Sequence, residues 1–76
     1  MEKRIVTVRD RIGSKREIDV ELPGDKAFGL LRGPLVRLLR GETGGAGIFY
    51  YRDRILAEDK TLSESLVRDG AVLELR

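Results

Sequence analysis

Apolar and polar residues alternate at both ends of the chain and recur at helical spacing between them. In the segment from Arg4 to Asp10, Val6 and Val8 share one face. From Arg16 to Pro23, Ile18, Val20 and Leu22 fall on one face, with Asp19 and Glu21 on the other. A period of two over such lengths marks a half-buried strand. The intervening "RIGSK" (Arg11–Lys15) has turn residues, so the two strands form an antiparallel hairpin. Pro23 and Gly24 end the second strand, because proline cannot donate to a ladder. Asp25 is placed to cap a helix, since its carboxylate can accept orphan backbone N–H groups.

The run "KAFGLLRGPLVRLLRG" carries Phe28, Leu31, Leu35, Leu38 and Leu39 at spacings of three and four, an apolar helical stripe. Arg32, Arg37 and Arg40 fall on or near its solvent side. Pro34 conflicts with the pattern, because an interior proline removes one hydrogen bond and costs about 3 kcal/mol. Either the helix kinks or it splits into two pieces; the unbroken stripe favours one kinked helix. A Gly-rich loop, Gly41–Gly47, follows. Short strands are expected at Ile48–Tyr51 and Ile55–Leu56, joined by a turn, and a last strand at Ala71–Arg76 after the "RDG" corner.

This order predicts an α+β roll, a mixed sheet of four to five strands packed on one kinked helix. The last strand pairs in parallel beside the first, in mid-sheet. The expected core is Val6, Val8, Ile18, Val20, Leu22, Phe28, Leu31, Leu35, Leu38, Phe49, Leu56, Leu62, Val67, Leu73 and Leu75. With 76 residues the chain reads as a single domain, residues 1–76.

Composition narrows the chemistry. Charged residues make up 37% of the chain, which suits a folded, soluble domain. No apolar run approaches the ~20 residues of a membrane span. No secretory signal opens the chain, so a cytoplasmic location is expected, free or as the cytoplasmic domain of a membrane protein. There is no Cys and no His, which removes thiolate nucleophiles, thiolate–zinc sites and the commonest general base. Ser14, Ser63 and Ser65 therefore read as turn and capping residues. The glycines of "GETGGAG" lack the Lys-Ser/Thr of a phosphate loop, and Glu58–Asp59 supply too few oxygens for calcium. No catalytic, cofactor-binding or metal-binding residue is assigned, no small-molecule substrate is expected, and the chain reads as a non-enzyme.

Net charge is only +2, with ten Lys/Arg against six Asp/Glu in residues 1–40 and five against seven in residues 41–76. Lys3, Arg4, Arg9, Arg11, Lys15 and Arg16 cluster on the first hairpin, which raises nucleic-acid binding as one alternative. Acidic residues interleave with them, and no aromatic stacking platform accompanies them, so this reading is disfavoured. Surface recognition remains. Tyr50 points away from the core if Phe49 points in, and an outward Tyr on a sheet suits a protein contact.

The chain resembles the ubiquitin-like β-grasp proteins over its whole length. The resemblance is carried best by Leu56, "TLSE" (Thr61–Glu64), Val67, Leu73 and Leu75. Two departures matter. Ubiquitin's conjugated tail ends in Gly-Gly, whereas this sequence stops at Arg76 and its internal Gly44-Gly45 sits in a loop. Ubiquitin's apolar patch is replaced, with Tyr50, Glu74 and Arg76 at the positions of its isoleucine, histidine and valine.

Within that group the chain is most similar to the bacterial YukD/EsaB family and the ubiquitin-like N-terminal domain of EccD. "VELPGDKAFGLLRGPLVRLLRG", with Leu-Pro before the helix and a proline inside it, and "LVRDGAVLELR" carry this similarity. It implies a non-catalytic, non-conjugating protein-interaction module of a type VII (ESX-like) secretion system, with components of that machinery as partners. The expected binding face holds Tyr50, Arg9, Arg52 and Arg76. A modifier or sulfur carrier is the alternative if the native chain continues to Gly-Gly.

Overall fold

The computed structural model describes residues 3–41 and 47–76. Strand β1 (Lys3–Asp10) pairs antiparallel with β2 (Glu17–Pro23), placing Val6 opposite Val20 and Val8 opposite Ile18. Helix α1 (Phe28–Arg40) follows, then β3 (Phe49–Tyr51), β4 (Arg54–Ile55) and β5 (Val72–Leu75). The five strands form one mixed sheet in the order β2-β1-β5-β3-β4. As expected from the order of elements, β5 runs parallel to β1 in mid-sheet, with Val8 opposite Leu73. On its other side it pairs antiparallel with β3. Backbone bonds between Ile48 and Arg76, 2.9 and 3.2 Å long, extend that ladder to the last residue. Gly70 turns the chain into β5 at φ +84°, a conformation that glycine adopts without penalty.

The core lies between the sheet and α1. Val6, Val8, Leu35, Leu39, Leu62, Val67, Leu73 and Leu75 are all at most 1% exposed. Phe28 meets Phe49 edge-on at a centroid distance of 5.4 Å, fixing the start of the helix over β3. Leu38, expected in the core, is 54% exposed; Val36 and Leu39 are buried instead. At about 100° per residue, Leu39 returns almost beneath Phe28, whereas Leu38 falls to the flank of the stripe. Tyr51 joins the core on the same side of β3 as Phe49. Ile18, Val20 and Leu31 are only partly buried at its margin. The helix runs through Pro34, whose side chain is on the exposed face, where water can replace the missing bond.

Asp25 does not cap the helix. Ala27 precedes the first helical residue, and no side chain caps the end. The N–H groups of Phe28 and Gly29 instead donate to the carbonyls of Lys60 and Glu58, at 2.8 and 2.9 Å. The residue after these acceptors, Thr61, is itself held by a reciprocal pair of bonds. Thr61 N–H donates to the Glu64 carboxylate at 2.9 Å, and Glu64 N–H donates to the Thr61 hydroxyl at 3.0 Å. This is the capping-box exchange, used here on a tight turn.

Two short strands are shifted by one residue from expectation: β3 begins at Phe49, and β4 is Arg54–Ile55. The helix closes with Gly41 at φ +78°, a backbone conformation that glycine adopts without a Cβ penalty, and its N–H donates to the Arg37 carbonyl at 2.8 Å. The rest of the expected loop, residues 42–46, lies outside the described residues.

Among the described residues, one charged side chain is wholly inside. Asp10 continues the inward phase of Val6 and Val8 and is 1% exposed. Its carboxylate accepts from the N–H groups of Ile12, Gly13 and Ser14 at 3.2, 2.9 and 2.8 Å, which shapes the β1–β2 turn. Arg40, expected toward solvent, reaches in from the end of α1 and donates Nε–H and Nη2–H to it, both at 2.9 Å. The Arg40 guanidinium and these backbone bonds hold the Asp10 carboxyl far below the usual range, against the effect of burial. A Cβ at Gly13 would lie 2.5 Å from Arg40 Nε, so glycine is what lets the ion pair close beneath the turn.

Candidate functional site

Strand alternation sorts the side chains of the sheet. With Val8, Leu73, Phe49 and Tyr51 facing the helix, Thr7, Arg9, Glu74, Arg76 and Tyr50 occupy the opposite face. The register makes Glu74 a neighbour of both Arg9 on β1 and Tyr50 on β3. Tyr50 is only half-exposed, because the Arg76 guanidinium lies over its ring at 4.5 Å from the centroid. Stacked this way, a cation meets the negative face of the ring quadrupole.

Glu74 is the hub of the face. Arg11 Nη1 donates to it at 2.6 Å, and Arg76 Nη2 donates to it at 2.6 Å. Arg76 Nη2 also donates to Asp53 at 2.8 Å. Bonds from Arg76 first and Arg11 second hold the Glu74 carboxyl below its ordinary range, so it stays ionised. Arg9 Nε–H donates to Glu17 on β2 at 2.7 Å.

Arg52 comes from elsewhere, the two-residue turn between β3 and β4. Its guanidinium sits 5.3 Å from the centroid of the Tyr51 ring. Both turn residues are left-handed, Arg52 at φ 52° and Asp53 at φ 63°. That is the backbone signature of a type I′ hairpin, which matches the twist of the flanking strands.

Of the four residues expected from sequence, Arg9, Arg52 and Arg76 line one open depression of about 550 Å³, and Tyr50 sits beside it under Arg76. Arg11, Asp53 and Glu74 are its other charged lining residues and were not among the expected site residues. Parallel pairing of β1 with β5 carries the hairpin end bearing Arg11 to Glu74, a juxtaposition set by register and not by sequence spacing. Of the other basic residues of the first hairpin, Lys15 lines a second open depression with Arg9, Arg11 and Glu17. Arg4 bonds the Val67 carbonyl and the Ser63 hydroxyl, at 3.1 and 3.0 Å, and Lys3 pairs with Glu21 at 3.4 Å. Glu58, considered above with Asp59, pairs with Arg32 at 2.9 Å. Among the described residues, no helix is long and apolar enough to cross a membrane.

No protein-family model matches the chain, and no curated protein matches it. Solved structures do. The EccD5 ubiquitin-like domain from Mycobacterium xenopi superposes with a TM-score of 0.81 at 21% identity, covering all of this chain and 94% of that one. Caldiarchaeum subterraneum ubiquitin gives 0.79 at 19% identity, over 97% and 91% of the two chains. A de novo protein designed from ubiquitin gives 0.78 at 23% identity, over 97% and 87%. The helix, the five-stranded mixed sheet and the central parallel β1–β5 pair are common ground: the chain has the ubiquitin-like β-grasp fold.

Proposed function

We propose that residues 1–76 form one non-catalytic, non-conjugating protein-interaction module, a YukD-like accessory or an EccD-like cytoplasmic domain of a type VII secretion system. The observation that carries this reading is the end-to-end likeness to the EccD5 ubiquitin-like domain, joined to the Leu-Pro step and the helix-borne Pro34. The outer sheet face supports recognition of a different set of partners from ubiquitin's. Where ubiquitin is apolar, this face has Tyr50 capped by Arg76 and Glu74 bonded to two arginines. Arg9, Tyr50, Arg52 and Arg76 are the proposed contact residues.

A modifier or sulfur carrier needs a chain that continues to Gly-Gly, and a nucleic-acid reader needs basic side chains free to meet phosphates. Lys3, Arg9 and Arg11 instead face carboxylates, which favours the protein-binding reading.

Tyr50→Ala tests it. The variant should melt within about 4 °C of the wild type, since changes away from the core shift stability by no more than about 0.5 kcal/mol. Capture of secretion-machinery components by the immobilised domain should fall at least about tenfold, as expected when an interface Tyr is lost. Unchanged capture places the contact elsewhere.

A further inference from the structure

Resting on the protein-binding reading, we infer that the arginine-lined depression takes an acidic segment of the partner, with Arg52 as the docking cation. Four guanidinium groups line it (Arg9, Arg11, Arg52 and Arg76), against two carboxylates, Asp53 and Glu74. Glu74 is already shared between Arg11 and Arg76, and Asp53 is engaged by Arg76. Arg9 faces Glu17. Arg52 has no carboxylate partner among the described residues; it has the Tyr51 ring alone. The depression thus carries excess positive charge, with one cation that no carboxylate among the described residues meets.

The backbone provides an independent observation. Arg52 and Asp53 occupy consecutive left-handed positions where glycine or asparagine fits with least strain. Strained residues persist where the surrounding structure enforces them, and they concentrate at functional sites. An arginine in that place adds a cation to the lining of the depression, which glycine could not do.

The intrinsic carboxylates choose between two kinds of anionic partner. A nucleic-acid backbone brings evenly spaced phosphates past Glu17, Asp53 and Glu74 alike and is repelled by each. A peptide with two or three acidic side chains can direct them to Arg52 and the outer edges of Arg9 and Arg11. Such contacts are exposed, so binding should be salt-sensitive.

The test titrates the ¹⁵N-labelled 76-residue chain with a Glu/Asp-rich decapeptide, and in parallel with oligothymidylate. The expected result is peptide-induced shifts confined to residues 9–11, 51–54 and 72–76, lost at high salt. Arg52→Glu should weaken peptide binding at least tenfold, Arg52→Lys less than threefold, and Arg16→Glu, on the exposed hairpin, not at all. Arg52→Gly should bind at least fivefold more weakly while melting at a higher temperature, which separates docking from a structural role. Absence of shifts at this face, equal loss with Arg16→Glu, or tighter oligothymidylate binding there would overturn the inference. If the peptide fails but Tyr50→Ala still abolishes partner capture, the acidic chemistry is wrong and the binding module stands. If Tyr50→Ala also leaves capture intact, the face itself is wrong.

Discussion

Asp10→Ala should destabilise the protein by about 3–5 kcal/mol, the usual result of breaking one side of a buried ion pair. A domain of this size holds roughly 4–11 kcal/mol in all, so much of the fold's margin depends on this one carboxylate. Asp10 side chain is fully buried and Arg40 is only 12% exposed. Removing Asp10 takes two charge-assisted bonds from the Arg40 guanidinium and orphans three turn N–H groups at once. Asp10→Asn keeps an acceptor oxygen but no charge, and should lose less. Urea unfolding curves for the three proteins give the comparison.

The pH dependence has a definite sign. Asp10 is held far below the ~3.9 of an unfolded aspartate, so its contribution is fully present above that value. It is lost as pH falls through the unfolded value toward the folded one. Wild type should therefore lose stability between about pH 5 and pH 2, and its advantage over Asp10→Asn should shrink over that interval. A constant advantage across that range would show that Asp10 titrates normally.

Leu73→Ala should cost about 2–5 kcal/mol. Leu73 is fully buried and lies opposite Val8 at the parallel β1–β5 junction. Because β5 is bonded on both sides, a cavity there loosens both halves of the sheet. The melting temperature should fall by roughly 10 °C or more. Leu38→Ala is the internal control: an exposed helical leucine should change stability by less than about 0.5 kcal/mol. A melt as sensitive at Leu38 as at Leu73 would contradict the assigned core.

The strands at Glu17–Pro23 and Val72–Leu75 were legible because a period of two exposes its inward face directly. So was the helix, from Phe28, Leu35 and Leu39. What escaped depends on contacts between distant segments. The carbonyls that satisfy the helix start come from Glu58 and Lys60, so Asp25, the local candidate, was not needed. Arg40 was assigned to solvent by helical phase, but it terminates the helix above a turn whose centre is a buried carboxylate 30 residues earlier. A signal was present: Asp10 continues the alternation of Val6 and Val8, so its side chain had to point inward and find a partner. At the sheet face, alternation and the ubiquitin-like resemblance together gave Arg9, Tyr50 and Arg76. Arg11 and Glu74 needed the parallel register, which no sequence period encodes.

A module of this kind binds its partner without being conjugated to it. An immunoblot of fractionated source cells under denaturing conditions tests it most directly. One species is expected, either a soluble band near 8.6 kDa for a free YukD-like adaptor or a single larger membrane-associated band for an EccD-like protein. A ladder of heavier soluble bands, each the protein joined covalently to a target, would contradict it.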